Sequence, residues 1–272
     1  MKQFILGAEP DKDSVVRLEG KDYRYLVRVR RLAVGKFFPA LLPNGEETLI
    51  QVISIDSGVL TGKCTLSAPS HLCGDSCETI PPIILFQALP KGCKMDLIVR
   101  QAAEGGISEI VPFLSEFSVA KANTDGQKFA RWEKIIKEAR QQSGSKTATV
   151  LSRSASRGYF TKNELFDYWK ELKAAGALGV LFHHCQSKGV ENKSLHRYLN
   201  SNPKAVVLAI GPEGGFSEKE VSFFLESGLL PLTIGDSVLR TETAALYCAA
   251  AIRILLLERN SWELKQTKAG KG

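Results

Sequence analysis

Apolar residues follow two rhythms along this chain, and the change falls near residue 80. Before it, short runs alternate apolar with polar side chains: FFPALL, a Pro43-Asn44-Gly45 turn, then ETLIQVISID and GVLTGKCTLSA. Period-two runs punctuated by turn residues mark half-buried antiparallel strands, so this part predicts a small β-barrel of about seventy residues. The stretch HLCGDSCETIPP, with its glycine and the Pro81-Pro82 pair, reads as a linker. Beyond it, strand-like runs alternate with helical ones. Strands over PIILFQAL, EIVPFL, TATVLS, ALGVLFHH, AVVLAI and PLTIG are followed in turn by helices over Lys94–Glu104, Phe129–Gln142 and Lys162–Ala174, a short one near Leu195, one from Ser217 and a long one from Thr241. Repeated βα units imply an α/β domain with a largely parallel sheet and helices on both faces. The expected organisation is residues 1–72 as the barrel, 73–81 as linker, 82–262 as the α/β domain and 263–272 as a disordered tail.

The junction LAIGPEGGFSEKE, Leu208 to Glu220, runs a strand into Gly211-Pro-Glu-Gly-Gly215 and then into a helix. Ser217 followed by Glu220 is a capping box, which sets the helix start just after Phe216. Ligands of open α/β sheets sit beyond the carboxyl ends of strands, where glycines allow close backbone approach. The plain alternative is a tight βα turn without a ligand. Phosphate motifs do not fit: GPEGG is neither GxGxxG nor a P-loop with its Lys-Ser/Thr, and Glu213 would repel phosphate. The next strand ends in a similar way, at IGDSVLRTETAAL, so two glycine-bearing loops would be neighbours at one sheet edge. In the final helix Ala245 and Ala249 offer a small-residue face, suited equally to a second subunit or to core packing.

Charge adds a second candidate surface. The chain carries a net +7, and between Arg17 and Lys36 seven basic residues stand against two acids. Read as a helix that stops at Gly35, YRYLVRVRRLAVG puts Leu26, Val29 and Ala33 on one face and Arg24, Arg28 and Arg31 on another. Such a stripe is either a solvated helix face or a surface for nucleic-acid phosphates. Six scattered cysteines in a chain of 272 residues point to reduced cytoplasmic thiols rather than a disulfide framework. Cys73 and Cys77 have only the distant His183 and His184 to complete a metal site, so no metal is expected. The longest apolar run, Ala244–Leu257, is too short for a bilayer and is broken by Arg253; no membrane or targeting segment is expected.

GPEGGFS at 211–217 together with IGDSVLRTETAAL at 234–246 resembles the SPOUT superfamily of knotted methyltransferases, and within it the RsmE group, which methylates N3 of a uridine in 16S ribosomal RNA of the small subunit. KGCKMDLIVRQAAEGGISEIVPFLSEFSVAK (91–121) and WEKIIKEARQQSG (132–144) resemble other segments of that group, and YLVRVRRLAVG (25–35) its PUA-like N-terminal barrel. The resemblance implies a trefoil knot in the parallel sheet, a homodimer, and S-adenosylmethionine held by the knotted loops. The implied cofactor residues are Leu181, Phe182 and His183; Ile210, Gly211, Glu213, Gly214 and Gly215; and Ile234, Gly235, Val238, Leu239 and Arg240. Arg24, Arg28, Arg30, Arg31, Lys121 and Lys146 are the implied RNA contacts.

Two positions depart from the group: Phe117 and Ser145 stand where arginines are usual, each removing a cation that would hold RNA phosphate. The neighbouring Lys121 and Lys146 supply point charges rather than guanidinium forks. Methyl transfer to N3 displaces a proton, so a base, or a cation that stabilises the uracil oxygens, should assist; Arg240 and Glu242 are the candidates. An interfacial ion pair for Arg240 and helix-end electrostatics for Glu242 are the structural alternatives. Other functions compatible with the chain are a non-catalytic RNA-binding protein of the same fold, a related methyltransferase acting on another RNA, and a small-molecule enzyme with an incidental basic barrel.

Overall fold

The computed structural model describes residues 3–65, 80–118, 126–155, 158–183, 195–233 and 237–269, with side chains as far as Glu258. Two compact units emerge, one made of Met1–Cys77 with Arg140–Ala148, the other of Glu78–Ala139 with Thr149–Gly272. The division expected from sequence treats residues after 82 as one continuous domain; instead Arg140–Ala148 belongs with the N-terminal unit. Bonds remote in sequence hold it there: the Gln3 side-chain amide donates to the carbonyls of Arg140 (3.0 Å) and Ser145 (2.8 Å). The expected linker lies mostly outside the described residues.

In the N-terminal unit, the expected barrel is observed as a four-stranded antiparallel sheet. Its strands are β1 (Val15–Leu18), β2 (Phe37–Leu41), β3 (Glu47–Asp56) and β4 (Val59–Thr65), in the order β1-β4-β3-β2. Ile5 adds a parallel bridge to Leu41. Alternate residues such as Phe38, Ile50, Val52 and Leu60 face one core that also takes Phe4 and Leu26. The basic segment departs from its predicted helix. A single turn, α1 (Gly20–Tyr23), passes into a π-helical stretch over Arg24–Val29, with Arg30 N donating to Tyr25 O at 2.9 Å. The wider turn moves residues off a 3.6-residue stripe, and Arg31 ends it in the left-handed region at φ 53°. Leu26 is therefore buried while Val29 is 69% exposed, and Ala33 is exposed too, which overturns the expected buried stripe. Arg24, Arg28, Arg30 and Arg31 are all exposed.

The second unit is an α/β layer. Six parallel strands, β5 (Ile83–Ala88), β6 (Glu109–Phe113), β7 (Val150–Leu151), β8 (Ala177–Phe182), β9 (Ala205–Ile210) and β10 (Leu230–Leu232), run in the order β10-β8-β9-β5-β6-β7. The helices are α2 (Lys94–Glu104), α3 (Gly126–Ser143), α4 (Lys162–Ala174), α5 (Leu195–Leu199), α6 (Glu218–Glu226) and α7 (Thr241–Ala269). Central strands are apolar at nearly every position, because both faces are covered. Ile83, Leu85, Val180 and Leu208 pack with Ile98 of α2, Ile136 of α3 and Ile252 of α7. Ile84, Phe86, Leu181 and Val207 pack on the other face with Trp169 of α4 and Phe224 of α6. Each such side chain contributes roughly 1.5–3 kcal/mol. Ala245 and Ala249 are buried in the first of these layers, so they serve the core. The chain is helical through Ala269, which includes most of the expected tail; WELKQTKA contains good helix formers and no glycine before Gly270.

Candidate active site

The carboxyl ends of β10, β8 and β9 lie side by side, and described residues at and just beyond them line a cavity of about 340 Å³. That volume falls within the range of small-molecule sites. Its glycine wall follows from local geometry. Gly215 N donates to Pro212 O at 2.9 Å and Gly215 sits at φ 71°, a conformation glycine adopts without strain. A Cβ on Gly211 would stand 3.1 Å from the Gly215 carbonyl carbon and 3.2 Å from its Cα, so any side chain there would push the turn's backbone apart by a few tenths of an ångström. Ser217 Oγ then accepts from Glu220 N at 3.2 Å while the Glu220 carboxylate accepts from Ser217 N at 3.0 Å, and this capping box anchors the loop to α6.

Thr241, the first residue of α7, ties the second loop to the first. Its hydroxyl donates to Gly211 O at 2.6 Å and accepts from Gln87 Nε2 at 3.1 Å; Gln87 is fully buried at the end of β5 and also donates to Ala88 O. Thr241→Val keeps the shape but removes the hydroxyl bonded to the half-buried Gly211 carbonyl and one of the two acceptors of the buried Gln87 amide. A loss of roughly 1–3 kcal/mol is expected in denaturant unfolding, with Thr241→Ser close to the parent. Unchanged stability of the valine variant would remove the hydroxyl from this account.

Glu213 does not extend freely into the cavity. It accepts from Lys91 N at 3.1 and 3.2 Å and pairs with Lys94 Nζ at 2.8 Å; the same ammonium stands 3.5 Å from Glu242 Oε2. Burial alone would raise the Glu213 carboxyl, but the Lys94 ammonium and the backbone amides outweigh it and hold it below the ordinary carboxylate range. Glu213 in turn raises Lys94. The pair stays ionised through neutral pH, and its contribution is lost as the pH falls through the carboxylate range.

Of the residues expected around a cofactor, Phe182, His183, Ile210, Gly211, Glu213, Gly214, Gly215, Val238 and Leu239 line the cavity. Leu181 does not. It is fully buried beside Phe86 and Val207, because neighbours on a strand face opposite sides. Ile234 and Gly235 lie outside the described residues, as do Lys121, Cys73, Cys77 and His184. Among the described residues no group of His, Cys, Asp and Glu is placed to hold a metal, and no helix is long and apolar enough to cross a membrane.

Arg240 and Glu242 flank the cavity without lining it; the wall takes Thr241 and Ala244, one helical turn apart. Arg240 is exposed and has no side-chain partner among the described residues, whereas the Glu242 side chain is 14% exposed and faces Lys94. Lys146 pairs with Glu47 at 2.6 Å. Pro212 and Ser237, within the two loops expected to hold the cofactor, line the cavity as well, whereas sequence reasoning passed over the lining residues Phe216, Thr233, Thr241 and Ala244, and it passed over Gln87. The one signal for Gln87 is a single polar side chain in an otherwise apolar strand.

Residues 78–253 match the family described as RNA methyltransferase domain. Ribosomal RNA small subunit methyltransferase E of Synechocystis is 29% identical over 93% of this chain and 78% of its own length. The protein of the same name from Aquifex aeolicus is 31% identical over 63% of this chain and 72% of its own. In structure, a ribosomal RNA small subunit methyltransferase E from Neisseria gonorrhoeae, solved bound to S-adenosyl methionine, superposes with a TM-score of 0.68 at 23% identity, covering 94% of this chain and 98% of that one.

Proposed function

Because the chain belongs to the RNA methyltransferase family, and within it to the ribosomal RNA small subunit methyltransferase E group, it is an S-adenosylmethionine-dependent rRNA methyltransferase, and we propose that its acceptor is N3 of a uridine in 16S ribosomal RNA. The observation that carries the reading is the glycine-walled cavity where three parallel strands end, two of its walls joined through Thr241. Its residues suit the cofactor: Phe182, Ile210, Val238 and Leu239 offer apolar surface for an adenine ring, and the bare glycines admit close approach. When bound, S-adenosylmethionine supplies an electrophilic methyl group. The chain's task is to align the acceptor nitrogen in line with that methyl and exclude water. It must also release the N3 proton. Glu242, fixed by Lys94 in the first turn of α7, is the proposed acceptor, and Arg240 the cation that stabilises the uracil oxygens.

The finer architecture belongs to the same proposal. β9 enters the sheet between β5 and β8, both earlier in the chain, an order that supports a knotted passage. On α7, Leu246, Tyr247, Ala250, Ile254 and Leu257 form an exposed, largely apolar stripe that supports a homodimer. The antiparallel N-terminal sheet with its exposed arginines supports a PUA-like RNA-binding module, and a ribosomal substrate supports a cytoplasmic location.

Labelled methyl transfer to small ribosomal subunits from cells lacking the protein tests the substrate class. Incorporation is expected into small-subunit RNA; unlabelled small subunits, with label entering only large subunits offered in a parallel reaction, would overturn it. Replacing Arg28 and Arg31 by alanine is expected to weaken RNA binding and to flatten its salt dependence by roughly one log unit for each phosphate no longer neutralised, with cofactor affinity unchanged. An unchanged salt slope would return that segment to an ordinary solvated surface.

A further inference from the structure

Phe117 is 47% exposed and rests against the glycine wall of the cavity: a Cβ on Gly214 would meet Phe117 Cβ at 3.1 Å and its ring at 3.5 Å. The turn that carries it is held by polar bonds. Ser115 Oγ and Glu116 N donate to the two oxygens of the buried Glu220 carboxylate at 3.0 and 2.9 Å, and Ser115 N donates to Ser118 Oγ at 3.2 Å. Glu220 is also the residue that closes the capping box of α6, so one carboxylate anchors both the glycine loop and the Phe117 turn. The ring is thus mounted rigidly beside the cavity by bonds that do not involve it, and about half its surface is left open to solvent. Folding has no evident need of a phenyl group there. An open aromatic face, bearing no charge, is a surface for another ring.

We infer that Phe117 is a substrate-positioning residue, on whose open face an unpaired nucleobase of the RNA stacks as the acceptor uridine reaches the cavity. Enzymes that modify a base act on it out of the helical stack, and aromatic side chains hold unstacked bases with little regard to sequence. The inference rests on the reading of the chain as an RNA methyltransferase but not on which atom receives the methyl. It also gives the position a different role from the arginine usual there: a cation would hold phosphate, whereas a phenyl group holds a base.

Two measurements on the full-length protein test it. Phe117→Leu keeps apolar bulk but removes the ring face. It is expected to raise the KM for RNA by about tenfold to a hundredfold while kcat and S-adenosylmethionine affinity stay near the parent values, and Phe117→Tyr should restore the KM. In Phe117→Trp, oligouridylate is expected to quench the introduced indole saturably, measured against the native protein's own tryptophans. A native KM in Phe117→Leu, or an indole fluorescence that oligouridylate leaves unchanged, would overturn the inference. The two readings fail separately: a methyl group found on another RNA atom together with a raised KM in Phe117→Leu would support stacking and remove only the N3 assignment.

Discussion

Replacing Gly211 by valine is expected to weaken S-adenosylmethionine binding by well over tenfold, about 1.4 kcal/mol or more, in a protein that still folds. The cause is backbone, which cannot move aside as a side chain can: the first carbon added would lie 3.1 Å from the carbonyl carbon of Gly215. To accept it the turn must open, and the opening also stretches the 2.6 Å bond from Thr241 Oγ1 to Gly211 O that joins the cavity's two loops. The neighbouring Gly214 is a less direct test, since a side chain there would press on Phe117 before reshaping the loop. Calorimetry on a folded Gly211→Val variant decides the matter. Undiminished affinity would mean that the loop is a turn and nothing more.

The second large effect concerns turnover. Glu242→Gln preserves shape but no longer accepts a proton, so at saturating substrates kcat is expected to fall roughly 10²-fold or more with cofactor affinity near native. Arg240→Lys keeps the charge and loses the planar fork; much of the activity should go with it, because no partner among the described residues already occupies the guanidinium. A decrease of only a few-fold in Glu242→Gln would assign the carboxylate to the Lys94 pair and the helix end, leaving Arg240 to lower the uridine's proton affinity with water as acceptor. Near-native turnover in both variants would remove the pair from the mechanism.

Features with local causes were readable from the chain. α4 starts where Thr161 and Glu164 form a capping box and β9 spans the AVVLAI run; the glycine loop after it has the shape its composition implies. The basic segment was misread because a π-helical stretch and a left-handed Arg31 both cost local energy that tertiary packing must offset, and no helical periodicity encodes that. The grouping of Arg140–Ala148 with the N-terminal unit depends on Gln3, 142 residues from Ser145. The joints of the site are equally remote: Gln87 and Thr241 are 154 residues apart, and the Lys91 amide is 122 residues from Glu213. Residue types on one element can announce a loop, but partners on another element are set by the sheet order, in which β9 lies between β5 and β8.

Transfer to N3 of a uridine leaves a product that can be identified directly. Small subunits from cells lacking the protein, incubated with the purified enzyme and S-adenosylmethionine, should yield 3-methyluridine when their 16S RNA is digested to nucleosides and separated by chromatography with mass detection. The same digest without enzyme should lack it. A methyl group recovered instead on uridine C5, on a ribose 2′-oxygen or on another base would contradict the account.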